Sequence, residues 1–182
     1  MRKSLLLCGL TALSLSLTTL PARASEALLI GGGYNLQGSQ GQIELNVKWV
    51  QDILETQGLN VETYFTDGDE AGLDVHYMID PETNSSPLAP LARVFGDWTL
   101  ENRRYRENEV DDVLGSTRRG DLEPRLREIF ERTADEDLLL VYNGHGSQSY
   151  STPDQVTMNL WDDTTLTASE LHELLEPRRS PF

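Results

Sequence analysis

The chain has 182 residues, among them 15 Lys and Arg and 30 Asp and Glu, which gives a formal net charge of −15. This length favours one domain with its own apolar core, and the negative charge argues against nucleic acid or an anionic membrane as a partner. The single cysteine, Cys8, excludes an internal disulfide and a cysteine-rich zinc site.

The first 24 residues have the pattern of a secretory signal peptide. A basic start, Arg2-Lys3, precedes an apolar stretch from Leu5 to Leu20, and Ala22-Arg23-Ala24 has the small-x-small pattern of a signal-peptidase site. This stretch is short for a membrane span, and the alternative interpretation is an uncleaved N-terminal anchor. We predict cleavage before Ser25 and export to the periplasm or the extracellular space, with no stable membrane span afterwards.

Cleavage would change the charge and the cysteine count of the chain. It removes three basic residues (Arg2, Lys3 and Arg23) and no acidic one, so the 15 basic residues become 12 against 30 acidic residues, a formal −18. Because Cys8 is also removed, the mature chain is expected to contain no thiol.

The mature chain opens with a predicted strand, helix and strand. The apolar run Glu26–Ile30 ends in Gly31-Gly32-Gly33, which predicts a buried strand and a tight loop. Ser39 and Gln42 have capping-box spacing, and Gly58 stands where a C-terminal cap is expected. Residues 60–65 alternate as a second strand, so the unit predicts parallel pairing with a right-handed crossover. The apolar face of the helix comprises Ile43, Val47, Val50 and Leu54.

Residues 67–120 show no sustained periodicity and are expected to form an irregular, solvated acidic insertion with short helical pieces. The acidic turn from Asp67 to Gly72 matches a calcium-binding loop only in part. Ala71 stands where a ligand is needed, and Met78 stands where the bidentate Glu should be. A solvated acidic turn is therefore the default interpretation.

Regular patterns return after residue 120. Asp121 is the predicted N-cap of a helix with an apolar face at Leu122, Leu126, Ile129 and Phe130. The apolar run 137–142 predicts a buried parallel strand, and 156–161 a short strand or hairpin arm. Thr167 and Glu170 form a second capping box before the next helix. The histidines other than His145 are interpreted as structural (His76, His172), and the tryptophans as packing residues (Trp49, Trp98, Trp161).

His145 is the candidate reactive group because it follows the buried strand, and sites in parallel α/β sheets lie at the carboxyl ends of strands. An imidazole can act as a general acid or base near neutral pH. The flanking Gly144 and Gly146 let backbone N–H groups approach a ligand, where they could stabilise an oxyanion. The alternative is a loop histidine between turn glycines.

No nucleotide cofactor is expected. The segment from Gly33 to Gly38 has P-loop spacing but no lysine follows it, and Leu36 stands in place of the third glycine of a dinucleotide fingerprint.

Two segments, Ala27–Gly31 and Val141–Gln148, resemble the caspase-like cysteine peptidase clan, which includes the legumain, metacaspase, caspase and gingipain families. The run Gly144–Gln148 is most similar to metacaspases and bacterial caspase-like proteins, and 159–171 resembles the hairpin and helix that follow the catalytic histidine there. The resemblance covers residues 26–66 and 121–176. It implies an α/β fold, a caspase-like parallel-sheet sandwich with flanking helices, incomplete at its C-terminus.

By this resemblance, His145 matches the catalytic histidine and Gly146 the position that supplies an oxyanion-hole N–H. The nucleophile of the family is a Cys at the end of the next strand, which would lie beyond Phe182. Cys8 belongs to the predicted signal peptide, and Ser147 lies too near His145 in the same turn to replace the thiol.

The expected function is thus a secreted caspase-like cysteine endopeptidase domain that acts on peptide or protein substrates and needs no cofactor or metal. It is expected to be inactive as this isolated chain, which would be a fragment or the product of a prematurely ended reading frame. The alternative is a non-catalytic exported α/β binding module, a pseudoenzyme.

Overall fold

A computed structural model describes residues 25–95, 102–148 and 155–176. The predicted signal peptide and Trp98 lie outside these residues. Within them the helices are α1 (Gly41–Thr56), α2 (Ala89–Phe95), α3 (Arg119–Arg132) and α4 (Ala168–Leu175). The strands are β1 (Glu26–Gly32), β2 (Asn60–Phe65), β3 (Val75–Met78), β4 (Arg103–Arg106), β5 (Val113–Gly115), β6 (Leu138–Gly144), β7 (Gly146–Gln148), β8 (Val156–Leu160) and β9 (Thr164–Thr167).

A four-stranded parallel sheet lies at the centre, in the order β5-β2-β1-β6. The predicted α/β class with a parallel sheet is confirmed. In β1, Leu28 pairs with Glu62 of β2 on one side and with Leu140 of β6 on the other. The sequence patterns predict β1, β2 and β6 but not the short β5, which pairs with β2 and forms one edge of the sheet.

Side chains of β1 point alternately into two apolar cores, one on each face of the sheet. Leu28 and Ile30 belong to the core that α3 and α4 cover, whereas Leu29 belongs to the core that α1 covers. Because both faces are covered, the strand is a continuous apolar run rather than an alternating one. The first core also includes Leu122, Leu126, Ile129, Phe130 and Leu174, and the second includes Ile43, Val47, Phe65, Val75 and Val110.

The segment 67–120 is more regular than its sequence suggests. The helix α2 agrees with the predicted short helical pieces, whereas the strands β3, β4 and β5 were not predicted. The segment contains α2, β5 and an antiparallel pair in which Val75 of β3 opposes Arg106 of β4, and Met78 opposes Arg103. This pair joins the start of α1 through a bridge between Gln40 and His76.

The same contact shifts the start of α1. The carbonyl of Ser39 accepts a hydrogen bond from the His76 N–H at 2.8 Å, and Gln40 is extended and makes no side-chain cap. The Ser39 hydroxyl is buried without a partner, so the predicted capping box at this helix is wrong. The predicted N-cap Asp121 is also wrong, since α3 begins at Arg119 and Asp121 lies in its first turn.

Two other helix ends agree with prediction. Gly58 ends α1 at φ +81°, and its N–H bonds the Glu55 carbonyl at 2.8 Å while the Leu59 N–H bonds the Leu54 carbonyl at 3.1 Å, which is a Schellman motif. Thr167 and Glu170 form the predicted capping box of α4.

Trp161 is buried as expected, but Trp49 is 65% exposed, which corrects the expectation that it packs. Trp49 lies off the apolar face of α1. No helix among residues 25–95, 102–148 and 155–176 is both long enough and apolar enough to cross a membrane.

Candidate functional site

The carboxyl ends of the central strands meet at one edge of the sheet, and His145 lies there directly after β6. The end of β1 is its neighbour, because Gly32 of β1 pairs with Gly144 of β6. The loop 33–40 leads from β1 to α1. The chain then continues from His145 into the antiparallel sheet β7-β8-β9.

The imidazole of His145 is held by the main chain of that loop. Its Nε2 atom lies 2.9 Å from the carbonyl oxygen of Gly38. A carbonyl only accepts hydrogen bonds, so Nε2 carries the proton and Nδ1 is the basic nitrogen of the neutral ring. Nδ1 has no partner among the described residues and is not buried, so it is open to a reacting group. The ring of Tyr34 contacts the imidazole edge-on, with centroids 5.5 Å apart.

Asn35 organises the loop that presents Gly38. Its side-chain oxygen accepts hydrogen bonds from the N–H groups of Gln37 and Gly38, both at 3.0 Å. Its side-chain amide donates to Asp163 at 2.7 Å, and the Asp163 N–H donates to the Tyr34 carbonyl at 2.9 Å. The loop is thereby fixed to the turn between β8 and β9.

Glycine is required on both sides of this junction because main chains approach closely. A Cβ atom on Gly144 would lie 2.7 Å from the Gly32 carbonyl oxygen and 2.7 Å from the Tyr142 hydroxyl. A Cβ atom on Gly33 would lie 2.2 Å from the Ser39 nitrogen, so the loop can fold back on itself only with glycine there.

The main chain of His145 is also anchored. Its carbonyl oxygen accepts from the Tyr142 hydroxyl at 2.6 Å and from the Asn159 N–H at 2.9 Å. Burial raises the pKa of Tyr142 to about 12, so its hydroxyl keeps the proton that makes this bond. β6 and β8 together therefore set the direction in which His145 points.

Gly146 offers a free backbone donor next to the imidazole. It opposes Met158 in the β7–β8 ladder. The bond from Asn159 N–H to the His145 carbonyl flanks this pair, so Gly146 and Met158 form a non-hydrogen-bonded pair. The Gly146 N–H is thus not used by the ladder, and the residue is exposed.

Ser147 is engaged elsewhere. Its hydroxyl lies 3.1 Å from the side-chain oxygen of Asn159 and 2.9 Å from the side-chain nitrogen of the same residue. This arrangement agrees with the expectation that the Ser147 hydroxyl does not serve His145 as a nucleophile.

A buried pair of acids follows β2 at the same edge of the sheet. Asp67 is 8% exposed and Asp74 is fully buried, so the expectation of a solvated turn is wrong for Asp67. One oxygen of Asp74 accepts from the Thr66 hydroxyl and from the Asn108 amide at 2.9 Å. The other oxygen of Asp74 and one of Asp67 are buried without partners.

Burial and the neighbouring Asp74 carboxylate raise the pKa of Asp67 to about 7. A proton shared between the two side chains would satisfy both orphan oxygens. In the part of the chain that the structure describes, no three His, Cys, Asp or Glu side chains form a group able to hold a metal ion.

Arg118 connects the turn after β2 with the turn between β8 and β9. Its guanidinium donates to Glu70 at 2.8 Å and to Asp162 at 2.6 Å. The hydrogen bonds from Arg118 hold the pKa of Glu70 below its usual range. Asp162 and Asp163 thus tie the β8–β9 turn both to Arg118 and to Asn35.

Sequence reasoning singled out His145 and Gly146, which the structure leaves adjacent at the sheet edge. It missed the residues that orient them, namely Asn35, Gly38, Tyr142 and Asn159. Asn35 lies in a Gly-rich loop of the kind in which Asn side chains cap their own backbone, and that was the one available signal.

Comparison with known proteins adds no family to these observations. No family model matches the sequence, and no curated protein or solved structure matches it. His145 and Gly146 are therefore candidate site residues on local geometry and residue type alone.

Proposed function

We propose that this chain is the histidine-bearing part of an exported, caspase-like cysteine endopeptidase. One observation carries the proposal: a backbone carbonyl orients the His145 ring so that Nδ1 is free, beside a backbone N–H of Gly146 that no strand uses. An oriented base and an unused amide donor are what acyl transfer needs around a nucleophile.

In this proposal Nδ1 of His145 takes the proton of a cysteine thiol, and the resulting thiolate attacks the scissile carbonyl. Its sulfur forms a bond to the carbonyl carbon, and the π electron pair of the carbonyl moves onto the oxygen. The oxyanion is stabilised by the Gly146 N–H. The C–N bond then breaks as His145 gives a proton to the leaving amine. Water then attacks the acyl carbon of the thioester while His145 takes its proton, and the C–S bond breaks to release the carboxylic acid product and the thiolate.

The thiol has to come from outside residues 25–182, because Cys8 is the one cysteine of the 182 residues. β6 is an edge of the central sheet in the described part of the chain, so a further parallel strand could pair with it. α4 packs on the adjoining core through Leu174. A strand that follows α4 and pairs with β6 would bring its carboxyl end beside His145.

The proposal is tested on the natural gene product, purified from the compartment that contains it. We expect hydrolysis of fluorogenic peptides that iodoacetamide abolishes and that His145→Ala lowers by about 100- to 10,000-fold in kcat/KM. Ser147→Ala is the matched control and should retain activity, because its hydroxyl bonds Asn159.

A second candidate function is a non-catalytic exported binding module. It is favoured by the absence of a thiol from residues 25–182 of the sequence. If the gene encodes no further cysteine-bearing strand and the purified protein shows no iodoacetamide-sensitive hydrolysis, the peptidase proposal is wrong and the binding module stands.

Export is part of the proposal and has its own measurement. N-terminal sequencing of the mature protein should begin at Ser25. An intact N-terminus at Met1 in the exported fraction would contradict signal-peptide cleavage, and recovery of the protein only from the cytoplasm would contradict export.

A further inference from the structure

A groove lies away from His145, between the start of α1 and the β3–β4 pair. This groove has a volume of about 590 Å³, which is within the range of small-molecule sites. It lies on the far side of the loop 33–40 from His145: His76, in its wall, contacts the Leu36 carbonyl of that loop through Nδ1 at 3.0 Å.

The wall of the groove combines apolar side chains with cations. Leu45, Tyr77 and Met78 line it and are exposed large apolar residues, Leu45 at 64%. Arg103 and Arg106 line it as well, and no carboxylate appears among the described residues of its lining. In a chain with twice as many acidic as basic residues, such a lining is complementary to an anion.

The two arginines differ in what they already bind. Arg106 makes a two-pronged ion pair with Glu44, whose side chain is buried, so its charge is offset within the protein. Arg103 makes no side-chain hydrogen bond or ion pair with any described residue, and its Nε atom is buried without an acceptor. The guanidinium charge of Arg103 is therefore not offset by any described carboxylate, and Arg103 lines the groove.

The N-terminal end of α1 also lies at the groove. Gln40 provides no side-chain cap, and Gln42 of the first turn lines the groove. The positive end of the helix dipole therefore adds to the field of Arg103.

We propose that this groove is a second binding site, and that it takes an organic monoanion with a carboxylate on an apolar body. One uncompensated guanidinium matches one carboxylate in charge, and its fork matches the two carboxylate oxygens. Leu45, Tyr77 and Met78 receive the apolar body. This site is independent of the proposed peptidase activity.

The test is a calorimetric titration of the purified protein with 3-phenylpropanoate, and with 3-phenylpropanamide as the neutral control. We expect 3-phenylpropanoate to bind at about millimolar Kd or tighter, as its size allows, and the amide to bind at least about tenfold more weakly. Inorganic phosphate should bind more weakly than 3-phenylpropanoate, because it has no apolar body to bury.

Variants distinguish binding in the groove from non-specific electrostatic attraction of the anion to the protein. Arg103→Gln should weaken 3-phenylpropanoate at least about tenfold, whereas Arg104→Gln, the adjacent and equally half-buried arginine outside the groove lining, should change it less than about twofold. Leu45→Ser, at an exposed position, should also weaken it. Circular dichroism checks that each variant is folded.

Three outcomes would overturn the proposal: no binding of 3-phenylpropanoate, equal losses for Arg103→Gln and Arg104→Gln, or tighter binding of phosphate than of 3-phenylpropanoate. Chemical-shift changes confined to residues outside the groove would also contradict it.

Discussion

The Nε2 atom of His145 lies 2.9 Å from the carbonyl oxygen of Gly38, a residue 107 positions earlier in the chain. His76 makes a similar contact two residues earlier in the same loop, with Nδ1 at 3.0 Å from the carbonyl oxygen of Leu36. Two histidines thus bind one loop through opposite ring nitrogens.

Opposite tautomers follow from these contacts. Because each carbonyl only accepts, neutral His145 should carry its proton on Nε2 and neutral His76 on Nδ1. Long-range ¹H–¹⁵N correlation spectra distinguish protonated from bare ring nitrogens. His172, exposed on α4 with the Glu176 carboxylate 3.9 Å from its Nε2, has no backbone-carbonyl contact among the described residues and is the internal reference for these spectra. The same tautomer for His145 and His76 would contradict the described contacts.

Asn35→Ala should loosen the loop that orients His145. The change removes two hydrogen bonds to loop N–H groups and one to Asp163, so we expect a loss of about 2 kcal/mol in the free energy of unfolding. Amide hydrogen exchange at Gly38 should accelerate by more than global unfolding explains. Gln37→Ala, an exposed change in the same loop, is the control and should be close to neutral.

Asp67→Asn should alter how stability depends on pH. The pKa of Asp67 is about 7 in the folded protein, against 3.8 as its ordinary value. At pH values between these two pKa values, the Asp67 side chain is therefore protonated in the folded state and ionised in the unfolded state. Its stabilising contribution is complete below about pH 4 and is lost as the pH rises through 7.

Asp67→Asn removes that dependence on pH. The free energy of unfolding of the variant should therefore increase relative to that of the wild type as the pH rises. We expect the variant to be more stable than the wild type by about 2 kcal/mol at pH 8 and by less at pH 5. The rise in the pKa of Asp67 limits this difference to about 4 kcal/mol. Urea unfolding at both pH values measures it. Asp69→Asn, exposed in the same turn, should show no such difference; equal gains at both pH values would rule out the shared proton.

Glu44→Gln should destabilise the join between α1 and β4. The Glu44 carboxylate accepts from Arg106 and from the Glu109 N–H and is 1% exposed. Removing its charge leaves a half-buried guanidinium uncompensated, which should cost about 2 to 3 kcal/mol. Glu109→Gln is the matched control, because its exposed carboxylate lies 3.7 Å from the same Arg106; it should cost less than about 0.5 kcal/mol. Equal losses in chemical unfolding would show that burial of Glu44 does not matter.

The elements that sequence patterns predict well are those with long apolar faces. β1, α1, β2, α3 and β6 were all predicted, since buried residues such as Leu29, Val47 and Leu126 recur at strand or helix spacing. β5 has three residues, and its Leu114 is exposed, so it carries no pattern of its own. It is a strand because β2 offers it a partner.

Helix starts were predicted less well, for a related reason. Ser39 has the right neighbours for a capping box, but its carbonyl is used by His76, 37 positions away. At the candidate site the same limit applies. His145 is recognisable from the residues around it, whereas Gly38 belongs to the candidate site only because folding brings its carbonyl to the ring.

The contacts of the two histidines with the loop 33–40 have a consequence for proton transfer. In each ring the nitrogen that touches the loop keeps its hydrogen in both the neutral and the charged form, because a second proton enters at the opposite nitrogen. A proton can therefore enter or leave at Nδ1 of His145 while the contact between Nε2 and the Gly38 carbonyl stays in place. The loop 33–40 thus holds the His145 ring in one orientation, with Nδ1 directed away from the contact with Gly38.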